Sequence, residues 1–244
     1  STALLAPPSV RLLGTVAMNH EETTEVAESA RSNDVGPLPA RLTAAAFADA
    51  AGTFDNPLRT VQTLPGVGSA WAFDSRLIVR GGAPSENLFL VDGVENHSPY
   101  RVFGLASGVV PGTLESIEMR SGAFDARYGD RLSSVMLVNN RDGRRSSRIG
   151  GSGGFGLLDA DLLLEGALPQ ASDGSFLVAA RYSFFHLVAG SVLDRQIPRN
   201  LDVHAKFSAA LRPGHCVSVL GVLGDERMDS REGDDPFEDF TPRT

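Results

Sequence analysis

One cysteine, one lysine and one tryptophan are all that 244 residues hold of those types. The lone Cys216 rules out a disulfide framework and a cysteine-rich metal site. Five scattered histidines with no close pair argue against zinc held on one helix. No apolar run of about 18 residues occurs, so no helix is expected to cross a membrane. The opening stretch, Ser1 to Pro8, is small and apolar but lacks a charged leader, and no intact secretory signal is read in it. Positive charge is also short. Against 30 acidic residues stand 22 basic ones, and the net charge of −8 argues against a general nucleic-acid binder. With lysine present only at Lys206, the cations are nearly all arginine, read first as compositional bias.

Glycine, by contrast, is abundant. With 26 glycines, 7% aromatics and only short apolar runs, the chain reads as β-rich with many turns. Its length suits one large domain or two small ones, with a core that needs no staples.

Residues 1–35 read as a flexible lead-in, in which Ser9 to Val16 can make one strand and His20 to Asp34 is polar, acidic and without period. Residues 36–52 are small and alanine-rich. Asn56-Pro57 then predicts a helix over 57–63. Asparagine is a good N-cap, and proline at the first helical position sacrifices no hydrogen bond. Leu58, Val61 and Leu64 share a face, and Pro65-Gly66 ends the helix. From residue 76 the pattern changes to short strands: 76–80, 87–91, 114–120 and 133–138. Gly81-Gly82, Asp92-Gly93, Ser121-Gly122 and Tyr128-Gly129 punctuate them. Residues 94–112 read as loop. A basic joint of Arg141, Arg144, Arg145 and Arg148 reads as an exposed interdomain turn rather than a nucleic-acid patch.

Five longer segments follow, at 148–157, 159–168, 175–186, 201–211 and 216–226, with turns at Ser172-Asp173-Gly174 and Arg212-Pro213-Gly214. Each is about 10 residues, the length a tilted membrane strand requires. In 201–211, Leu201, Val203, Ala205, Phe207, Ala209 and Leu211 share one face, and Asp202, His204, Lys206 and Ser208 the other. In 158–165, Leu158, Ala160, Leu162 and Leu164 oppose Asp159, Asp161 and Glu165. Residues 225–240 carry a net of six negative charges and read as a solvated acidic tail, without the spacing of a calcium loop.

Several motifs lead nowhere. Gly151 to Gly156 satisfies G-x-G-x-x-G, but a strand pattern follows where a dinucleotide fold needs a helix. Asp92, Glu95 and His97 read as a polar loop rather than an acid–base set. There is no nucleophile elbow and no Ser/His/Asp or Cys/His arrangement, so no enzyme is expected.

One ordered series carries more. It runs Leu64-Pro65-Gly66-Val67, then Ile78-Val79-Arg80-Gly81-Gly82, then Asn87 to Gly93 (NLFLVDG). Leu114 to Gly122 (LESIEMRSG) and Tyr128-Gly129 complete it. Over about 65 residues, in this order, the series resembles the plug domain of TonB-dependent outer-membrane receptors. The resemblance covers roughly residues 40–143, and 148–227 resemble the first barrel strands. It implies that Arg80 and Arg120 dock the plug on acidic residues of a barrel wall, or else brace turns within the domain. Gly81, Gly82, Asp92, Gly93, Gly122, Tyr128 and Gly129 complete the motif set.

The expected fold is therefore α+β and β-rich. A plug-like mixed sheet with short helices (36–143) is followed by about five antiparallel strands in hairpins (144–227) and an acidic tail (228–244). The function implied is the plug part of a TonB-dependent receptor, gating uptake of a ligand such as an iron chelate, a cobalamin or a glycan. Its partners are the remaining barrel and TonB, and its place is the outer membrane or periplasm of a Gram-negative-type bacterium. No cofactor, metal, catalytic residue or nucleic acid is expected. The alternative is a plug-derived structural subunit, without transport, on the periplasmic side of a larger membrane complex. Ser133-Ser134 departs from the family, which has a glycine-rich pair there. Three features point to the alternative. The end, Phe240 to Thr244, lacks the terminal aromatic typical of outer-membrane barrels. Glu22 to Ala30 makes a poor coupling box. Five strands cannot close a barrel of about 22.

Overall fold

Period-two patterning decides most of this structure, a computed structural model. It describes residues 11–20, 39–48, 56–71, 74–122, 124–125, 127–145, 149–156, 159–168, 173–187, 198–212 and 215–227. In chain order the elements begin with β1 (Arg11–His20), β2 (Ala40–Thr43), α1 (Ala44–Ala48) and α2 (Pro57–Val61). Short strands follow: β3 (Val67–Gly68), β4 (Ile78–Val79), β5 (Asn87–Val91), β6 (Val94–Glu95), β7 (Tyr100–Arg101) and β8 (Ala106–Ser107). Then come β9 (Leu114–Arg120), β10 (Ser134–Asn140), β11 (Gly150–Phe155), β12 (Asp159–Ala167), β13 (Gly174–Ser183), β14 (Arg199–Arg212) and β15 (His215–Arg227).

The helix begins as its sequence dictates. Asn56 Oδ1 accepts the Leu58 amide at 3.1 Å, a cap worth about 1 kcal/mol. Regular helix ends at Val61, and turn bonds carry the chain on through Leu64 to Gly66 at φ +79. Leu58 and Val61 are fully buried. The strand expected at 76–80 shrinks to Ile78–Val79, because side chains take the amides that a ladder needs. Asp74 Oδ1 accepts Arg76 N at 2.9 Å, and Tyr100 Oη accepts Leu77 N at 3.1 Å.

Two main sheets result. The mixed sheet has the order β2-β9-β10-β5-β6, with β5 and β10 parallel and the other pairs antiparallel. The second sheet runs β1-β15-β14-β13-β12-β11, antiparallel throughout. Its last five strands pair in chain order, as alternation and turns predict. β1 adds a sixth, pairing from Arg11↔Gly224 to His20↔His215 within the stretch read as lead-in. Asp225, Glu226 and Arg227, counted in the hairpin region as well as in the acidic run, belong to β15. Residues 228–244 and the turn at Pro213-Gly214 lie outside the described residues.

The sheets share a core. Phe89, Val91, Ile117, Met119, Met136 and Val138 on one face of the mixed sheet pack with Leu58 and Val61, and with Leu220 and Val222 of β15. A smaller cluster joins Val110 to Leu163, Leu177 and Ala179.

Candidate functional site

The hairpin sheet reverses the usual arrangement of a soluble protein. Its exposed face is apolar, and its buried face carries charged and polar side chains beside the core residues Leu163, Leu177, Ala179, Leu220 and Val222. Asp202, His204, Ser208, Arg181 and Glu165 are all under 9% exposed, whereas Leu162 is 54%, Leu164 43%, Phe207 43% and Tyr182 40% exposed. The alternation along β14 sets this pattern, and what covers the polar face is the mixed-sheet domain.

Successive inward positions of β14 grip successive parts of that domain. Asp202 accepts from Arg101 Nε at 3.0 Å and from Asn200 Nδ2 at 2.5 Å. His204 Nε2 donates to Gly108 O at 3.0 Å. Lys206 Nζ donates to Asn140 O at 2.6 Å and lies 3.3 Å from both Asp92 and Asp142. Ser208 Oγ donates to Asp142 Oδ1 at 2.7 Å. Lys206 thus ties the ends of β5 and β10 to the same strand. Around Lys206, Asp92, Arg41 and Glu115 a polar cavity of about 330 Å³ remains between the sheets.

The basic joint is a second attachment. Arg141 Nη1 reaches buried Glu165 Oε2 at 2.5 Å, and Arg144 contributes its amide at 3.2 Å and its Nε at 2.9 Å. Arg144 and Arg145 are exposed, Arg141 is half-buried and Gly143 buried, with two arginines engaged on one carboxylate of β12; Arg148 lies outside the described residues. Arg145 pairs with Asp173 at 2.9 Å. Arg181 and Asp159 form a further pair across β12 and β13.

Burial alone raises the Asp142 carboxyl, but the Ser208 hydrogen bond and the charges of Lys206 and Arg145 outweigh it and hold it below the usual aspartate range. Its folded value is depressed, so its contribution is present above the ordinary value of 3.8 and is lost as pH falls through the folded value. Ser208→Ala should therefore move the acid loss of stability to higher pH, read from unfolding free energies across an acid titration. Burial also pushes the Tyr100 hydroxyl up to about 12, so it stays protonated where it receives the Leu77 amide.

The motif residues fall into two places. Arg120 Nε donates to Glu118 at 2.7 Å, and its guanidinium lies 5.7 Å from the centre of the Tyr128 ring. Gly122, at φ +86, is beside the exposed Arg80, which itself has φ +50. Gly81 has φ +82, a side chain at Gly82 would strike Ser133 and Glu86, and Gly129 borders open space. Asp92 and Gly93 form the other group, with Asp92 Oδ1 accepting Asn140 N at 2.7 Å beside Lys206. Among the described residues, the ion pairs of Arg120 are with Glu118 and Asp125, and Arg80 has none. Arg101, Asp142, Glu165 and Glu226, which hold the two sheets together, carry no motif. Glu95 pairs with His97 at 3.1 Å and Arg131 at 2.7 Å, while Asp92 turns to Lys206, so the three do not converge. The Gly151–Gly156 run lies on and just after β11, and β12 follows it.

A small mixed domain seated on the polar face of a sheet with an apolar outer face is the arrangement of a plugged membrane β-barrel. Residues 40–135, less than half of the chain, match the family model described as TonB-dependent Receptor Plug Domain. That family consists of transporters rather than enzymes. No curated protein matches the chain. Among solved structures, the siderophore receptor PirA from Pseudomonas aeruginosa is 22% identical, with TM-score 0.57 over 80% of this chain and 35% of that one. The pyoverdine outer membrane receptor FpvA from Pseudomonas aeruginosa PAO1 is 15% identical, with TM-score 0.54 over 79% of this chain and 28% of that one. The copper transporter OprC is 15% identical, with TM-score 0.51 over 80% and 32%. At these identities the likeness is one of fold, and this chain spans about a third of the receptors' length.

Proposed function

We propose that this chain is the plug and opening wall of an outer-membrane receptor of a Gram-negative-type bacterium, and that the plug gates uptake of a scarce ligand. The observation that carries this reading is the inverted hairpin sheet. Its outward leucines, Tyr182 and Phe207 suit lipid, and inward Asp202, Lys206 and Glu165 are matched by charges of the plug and joint, while Arg181 pairs with Asp159 inside the sheet. β11, an edge strand among the described residues, supports it too, because a sheet in lipid must have its edges paired. The partners are then the remaining barrel and TonB, with Arg80 and Arg120 docking on wall that these strands do not supply. The ligand class is a metal chelate or similar nutrient, drawn from the siderophore, pyoverdine and copper proteins of like fold.

A structural subunit without transport has one observation in its favour. β1 pairs along the edge of β15, where a continuing wall would add its next strand. Excision of residues 40–135 from the native protein, followed by conductance measurement in planar bilayers, separates the two readings. A gate predicts a closed native protein and a large steady conductance after excision. Equal conductance before and after would refute gating.

A further inference from the structure

The loop of residues 98–108 is held on both sides, by different means. On the plug side its bonds go to backbone and core: Tyr100 Oη accepts the Leu77 amide, and Gly104 O accepts from Ser75 N at 2.6 Å and Ser75 Oγ at 2.7 Å. On the wall side it depends on three side chains. Arg101 Nε donates to Asp202, the Val102 amide donates to Glu226 Oε1 at 2.8 Å, and His204 donates to Gly108 O. Alternation in β7 divides the work, with Tyr100 meeting Phe89 edge-on in the plug core and Arg101 reaching the wall.

The Arg101 guanidinium lies between two bare backbones. A Cβ at Gly108 would come within 3.0 Å of it, and one at Gly224 of β15 would overlap it. Beside it Val102 is fully buried at φ +52. A β-branched residue in the left-handed region is strained, and it stays there only when its surroundings hold it. Here the surroundings are the bond made by its own amide and the pinned side chain of the residue before it.

We propose that loop 98–108 is the latch between plug and wall, and that Arg101 is the positioning residue that keeps it shut. This deepens, and rests on, the reading of the plug as a gate. Loss of the Arg101–Asp202 pair frees Val102 to return to negative φ, which turns its amide from Glu226, so the two contacts open together. The loop then leaves the wall and stays with the plug, where its bonds are backbone and core.

Amide hydrogen exchange on the full protein in its membrane tests this, comparing R101M, D202N, the double variant and G224V with the parent. G224V fills the guanidinium's seat without changing charge, and R127A, which removes an exposed arginine paired with Asp125, serves as a distant control. Exchange across 98–108 should rise about tenfold or more in R101M, D202N and G224V. It should rise no further in the double variant, stay at the parent level in β5 and β10, and be unchanged by R127A. An unchanged loop in R101M and D202N would overturn the latch. So would an equal rise through β5 and β10, the mark of a general stabiliser. A loop that opens as described in a protein whose excised plug leaves conductance unchanged would count against the gate and leave the latch standing.

Discussion

Gly143→Ala should lower the unfolding free energy by about 3–5 kcal/mol, a large effect for one methyl group. Gly143 is buried in the joint between plug and wall, and a Cβ there would overlap the backbone carbonyl of Phe176 on β13. A flexible side chain can swing aside, but a ladder carbonyl cannot. Overpacking alone costs about 1–3 kcal/mol. The rest comes from what the joint holds. If residue 143 is pushed out, Arg141 and Arg144 leave Glu165, which is 3% exposed and then has an uncompensated charge in the sheet. Denaturant midpoints compare Gly143→Ala with Gly129→Ala, whose Cβ meets nothing within 4 Å and which should stay within about 0.5 kcal/mol of the parent.

Arginine placed on the outward face should also be costly, and the size of that effect distinguishes membrane from water. Leu162, Leu164 and Phe207 are exposed. In a soluble protein, Leu162→Arg or Phe207→Arg would change stability by less than about 0.5 kcal/mol. In a bilayer each should cost about 2–4 kcal/mol near the midplane and less toward the interfaces. Folding of the variants into vesicles of defined lipid, followed by unfolding in urea, measures the difference.

The strands were legible wherever alternation was strict. Leu201 to Ala209 shows in sequence the two faces that the structure gives to β14, and Asp202, His204 and Lys206 lie opposite Val203 and Phe207 as expected. Asn56-Pro57 announced its helix through cap chemistry, which is local. The contacts across the joint were not legible. Arg101 sits in a loop with no pattern, and its partner Asp202 is 101 residues away. Only the inward set on β14 hinted that something polar must face it. Gly143 and Gly224 look like any other glycines until the opposing backbone or guanidinium is in place. Arg80 and Arg120 stood out through resemblance, and the pairings made between the two sheets rest on other residues.

A nitroxide scan along β14, in a Cys216→Ser background and with the protein in lipid, tests the central claim most directly. Each position from Leu201 to Phe207 is replaced in turn by a labelled cysteine, and collisions with oxygen and with a water-soluble nickel chelate are compared. The inverted wall predicts a period of two: labels at 201, 203, 205 and 207 meet lipid-dissolved oxygen, and those at 202, 204 and 206 are shielded from both by the plug. Nickel reaching 203 and 207 as readily as oxygen does would place that face in water and contradict the account.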